Sequence, residues 1–260
     1  MHLADCLQHN GKTTIVYREA NGVKKVFAVC GRQYKYVPQT IIADIAEMIN
    51  KDSVMGKTET YQWEINHSIS SIIEIFPEMK EDFEAAYGIK DKTPGIIIET
   101  SDIGCCSITI KSILKSGRGY VELDEIKFQH TPNTTAEKVL DAANKEIFAK
   151  IRKLPECLMS LIGEPLTYEE VLIAIEKCLD AIPRKILSMA KRKELSEAIK
   201  EEFDGSISYT KYDVADKFLE LPDRISGLEK VTITEIRKAC GKIPYLLEKM
   251  SLKEESILLL

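Results

Sequence analysis

The chain of 260 residues has little of what usually announces chemistry. Its 4 histidines are His2, His9, His67 and His130, and no two stand at a helical ligand spacing. Without a Cys-x-x-Cys to join them, they make no zinc signature, and no metal is expected. Neither the Gly-x-x-x-x-Gly-Lys phosphate loop nor Gly-x-Gly-x-x-Gly occurs, so a nucleotide loop of either kind is excluded and no cofactor is expected. No apolar run approaches the roughly 20 residues that cross a bilayer, so a membrane partner is not expected. The opening MHLADCLQHN lacks the basic and apolar regions of a signal peptide, which reads as a cytoplasmic protein. Cationic excess is missing too: 36 Lys and Arg against 41 Asp and Glu leave a formal net charge of -5. Any contact with a phosphate backbone therefore needs a local basic patch. The 7 cysteines are odd in number and sit in apolar contexts, the pattern of reduced thiols acting as small hydrophobes.

What is present is periodicity and turn chemistry. Residues 13–30 read as two strands around Asn21-Gly22, the dipeptide suited to a type I′ turn. Ile15 and Tyr17 on one arm, with Val26, Ala28 and Cys30 on the other, are expected to share a face. Pro38 suits the first turn of a helix striped by Ile41, Ile42, Ile45, Met48 and Ile49. Residues 61–65 alternate as a short strand. Residues 68–87 read as helical, with Ile69, Ile72, Ile73 and Phe76 preceding Pro77, and a second helix ending at Gly88. Three strand-like runs then follow one another between residues 94 and 128, separated by turns at 101–104 and 116–119.

Beyond His130 the pattern is helical. Thr134 to Glu137 reads as a capping box before a seam of Leu140, Ala143, Ile147, Ile151 and Leu154. Thr167 to Glu170 is a second box. Pro183 reads as the start of a helix through Glu202, and Thr210 to Asp213 and Thr232 to Glu235 open two more. The expected fold is α+β: a mainly antiparallel sheet with packed helices, followed by a helical C-terminal half. The expected division is an α+β region at 1–130 and a helical region at 131–260, packed together as one unit.

Three places carry candidate chemistry. Ser101 and Asp102, in the turn that ends with Gly104, form a candidate catalytic site with His130, although a tight turn needs no function to explain them. Lys111, Lys115 and Arg118 form a small basic hairpin that is a candidate nucleic-acid contact. Cys105-Cys106 reads as core filling, because alternation sends one side chain to each face. A second basic group, Arg184-Lys185 with Lys191-Arg192-Lys193, reads as a solvated helix face paired with later glutamates.

Four segments taken in order carry a resemblance. They are Arg32-Gln33-Tyr34-Lys35-Tyr36-Val37, the turn from Thr100 to Ser107, His130 ahead of Glu137-Lys138-Val139, and Thr210 to Ala215. Across residues 30–250 the chain resembles a family of phage- and plasmid-like proteins of unknown function. It departs from that family in lacking an Arg-x-x-Cys-x-Asn segment after the turn. The resemblance implies residence on a phage or mobile element, in the bacterial host cytoplasm, and supplies no activity. Residues 95–152 are also similar in element order to the core of single-strand annealing proteins, an analogy of fold alone. The expected function is protein–protein interaction, as an inhibitor of a host system or a virion component, with a protein partner or self-association. The alternatives are a nucleic-acid-binding accessory protein that takes single strands, and an enzyme at the Ser101–Gly104 turn and His130.

Overall fold

The computed structural model describes residues 6–9, 13–31, 34, 40–52, 56–65, 69–101, 106–117, 119–131, 133–163, 165–225 and 230–252. The fold is α+β, with two antiparallel sheets and a helical C-terminal half. Strands β1 (Cys6–His9), β2 (Thr13–Ala20) and β3 (Val23–Gly31) form a three-stranded sheet in that order. Strands β4 (Glu59–Ile65), β5 (Ser70–Ile75), β6 (Lys92–Thr100), β7 (Ile108–Ser116) and β8 (Gly119–Phe128) form a five-stranded sheet, again in chain order. The helices are α1 (Ile41–Asp52), α2 (Pro77–Tyr87), α3 (Ala136–Ala142), α4 (Phe148–Ser160), α5 (Tyr168–Ala181), α6 (Met189–Lys200), α7 (Lys211–Arg224), α8 (Lys230–Gly241) and α9 (Ile243–Lys249). A π-helical turn (Ala143–Ile147) joins α3 to α4.

Two compact units divide the chain. One comprises Met1–Met79, Pro94–Ser112 and Asp124–Lys150, and the other Lys80–Thr93, Ile113–Leu123 and Ile151–Leu260. In the first unit, Asn21 (φ 54°) and Gly22 (φ 76°) make the β2–β3 turn with the positive φ values that its chemistry anticipates. The α1 stripe buries Ile42, Ile45 and Ile49, and the helix packs on β5 and α3. β5 and β6 pair antiparallel, with Ser70 opposite Thr100, Ile72 opposite Ile98 and Glu74 opposite Ile96. Phe76 and Phe148 meet edge to face at 6.0 Å between ring centroids in the same core.

In the second unit, helices α5, α7, α8 and α9 pack through Val171, Ile175, Cys178, Phe218, Ile236, Cys240 and Leu247, all buried. Capping boxes start α5 (Thr167 with Glu170) and α7 (Thr210 with Asp213), each satisfying two backbone donors reciprocally. Gly241 lies against β8 so closely that a Cβ there would stand 2.1 Å from the Glu122 carbonyl oxygen.

Several expectations change in the structure. Residues 70–75 are a strand, not a helix: a β-branched Ile pair between two strands gains a ladder on each side and buries Ile72 and Ile73. The shared face in the hairpin is interrupted by a bulge, since Tyr17 pairs with Val26 but Val16 with Ala28, leaving Phe27 extra. Ile15 and Tyr17 therefore share a face with Val26 and Val29, while Ala28 and Cys30 move to the other face. The cap of α3 is Thr135, one residue later than the box expected, so its third helical residue is Lys138 and the reciprocal acid is lost. Residues 183–187 form a turn, and α6 begins only after its N-cap Ser188. Thr232 lies inside α8 and does not open it. Pro38 is outside the described residues.

Candidate functional site

One end of the β5–β6 pair is polar and buried. Ser70, Thr100 and Ser101 are each 0% exposed, and His130, which follows β8, is 7% exposed. β6 delivers Thr100 because Ile96, Ile97 and Ile98 anchor the strand in the core, and the cross-strand register sets Ser70 opposite it. Thr100 Oγ1 lies 3.5 Å from His130 Nε2, a long hydrogen bond. The Tyr34 ring stacks on the imidazole at 5.4 Å with an interplanar angle of 15°. Ser70 Oγ makes no hydrogen bond among the described residues.

Burial lowers the pKa of His130 from its ordinary value, and a hydrogen bond to the Cys106 backbone opposes that shift in part. A neutral imidazole is the form that accepts a proton, so the chemistry open to this cluster is that of a general base. The sequence pairs His130 with Ser101 and Asp102. The hydroxyl shown here within reach of the ring is that of Thr100, one residue earlier. Asp102, Gly104 and Cys105 lie outside the described residues. Thr100 enters the sequence reading only as the first residue of the turn segment, and the return of the chain after β8 is what brings His130 to it.

The basic hairpin is arranged differently from its reading in sequence. Lys111 lies within β7, is 7% exposed, and pairs with Glu99 at 2.9 Å. Lys115 Nζ donates to the Gly117 carbonyl oxygen at 2.8 Å, bracing its own turn. Arg118 is outside the described residues. In the second basic group Arg192 is buried: its guanidinium donates to the carbonyls of Leu187, Leu179 and Ile182, holding the end of α5 and the turn that follows. The solvated-face reading therefore fails for Arg192, whose fork meets orphan carbonyls, and holds for Lys191, which pairs with Glu194 at 2.6 Å.

Two other polar contacts resemble catalytic pairs and are explained structurally. Lys92 Nζ donates to Ser116 Oγ at 2.8 Å and sits 2.5 Å from Asp216, which ties the strand ends of the second unit to α7. The Cys157 thiol faces Glu248 at 3.8 Å. Burial and that carboxylate push its pKa up to about 12, the opposite of an activated nucleophile. A cleft of about 600 Å³ between α5 and α6 is lined by Met189, Leu179 and a charged rim in which Glu176 already pairs with Lys200.

Most informative are two strands that sequence reasoning left without a role. Among the described strands, β3 and β4 stand at the ends of their sheets. On β3 the side chains of Val23, Val26 and Val29 are 69%, 56% and 65% exposed, and on β4 Trp63, the only tryptophan, is 48% exposed. Each strand also carries a bulge, at Phe27 in β3 and at Tyr61 in β4. The lone tryptophan was the available signal, but its exposure follows from strand order. No protein-family model, curated protein or solved structure matches the chain.

Proposed function

We propose that this chain works by binding protein, as a phage or mobile-element protein that inhibits a host system or takes part in a virion. The observation that carries the reading is the exposure of large apolar side chains on two sheet-edge strands, above all Trp63 and Tyr61 on β4. Interfaces concentrate aromatic anchors, and an exposed edge offers backbone groups for a partner strand. The acidic net charge and the use of Lys111 on Glu99 stand against a phosphate backbone as the partner. Trp63 is its own reporter. Its emission shifts to the blue when a protein ligand covers β4, and it stays unchanged with a single-stranded oligonucleotide at low salt. An oligonucleotide that shifts the emission, or co-elutes in a salt-sensitive manner, would favour the nucleic-acid reading instead.

A second reading rests on His130, buried in a polar cluster with its Nε2 3.5 Å from the Thr100 hydroxyl. In that reading the cluster is an acid–base site and Thr100 its nearest hydroxyl. Turnover of activated esters that vanishes in His130→Gln would support it; equal rates in both proteins would remove it.

A further inference from the structure

No further inference is drawn: the strongest candidate, the exposed apolar side chains of Val23, Val26 and Val29 on β3 and of Tyr61 and Trp63 on β4, strands that end their sheets among the described residues, belongs to the surface already described, and nothing in the structure shows what covers it.

Discussion

His130 shows how burial makes a single residue sensitive to pH. Its folded pKa is lowered, mainly by desolvation, so the folded state holds its proton less tightly than the unfolded chain does. The stability tied to this neutral ring is therefore complete above the unfolded pKa of about 6.5 and is lost as pH falls from there through the folded value. Urea unfolding of wild type and His130→Gln at pH 7.5 and 5.5 isolates the effect, because the carboxylates are common to both. Wild type should lose more stability between the two pH values; parallel losses would contradict the assignment. Gly241 depends instead on closeness. A methyl group there would meet the Glu122 carbonyl, a backbone atom that cannot rotate away. Gly241→Ala is expected to cost about 1–3 kcal/mol through overpacking, read from the midpoint of chemical denaturation.

Helices and strands differ in how openly they declare themselves. The α7 start is local chemistry: Thr210 accepts from the Asp213 backbone at 3.4 Å, and the Asp213 carboxylate accepts from the Thr210 backbone at 2.6 Å. Thr210→Ala should destabilise the protein by about 0.5–2 kcal/mol, more than Thr135→Ala, whose cap lacks the reciprocal acid. Equal effects in thermal unfolding would deny the box any separate value. β5 is the opposite case. Its Ile72 and Ile73 fit a helical stripe on paper, but the strands on both sides supply ladders and a core that no local pattern reveals. The bulges in β3 and β4 are similarly invisible, because an extra residue exists only relative to a partner strand.

At the scale of the whole molecule, the buried thiols offer a measure of global opening. Cys178 and Cys240 lie in the helical core of the second unit, and burial raises both pKa values far above the ordinary thiol range. Neither should react with a thiol reagent at pH 8 in native protein, and their labelling should accelerate in step with the unfolded fraction as denaturant is added. Rapid native labelling of either would show local opening of α5 or α8. The burial of Cys157, Cys178 and Cys240 was legible from the sequence, as were the Asn21-Gly22 turn, the α1 stripe, the capping box at Thr167, the helix start at Thr210 and the α+β class. All of these depend on residues within a few positions of one another. Tertiary structure alone decided that residues 70–75 would be a strand, that Lys111 would pair with Glu99 and Arg192 would cap α5. It also set His130 beside Thr100, and left Trp63 and the β3 valines exposed on strands that end their sheets among the described residues. Those outcomes depend on which strand lies beside which, and strand order is a property of the assembled sheet that no single stretch of chain contains.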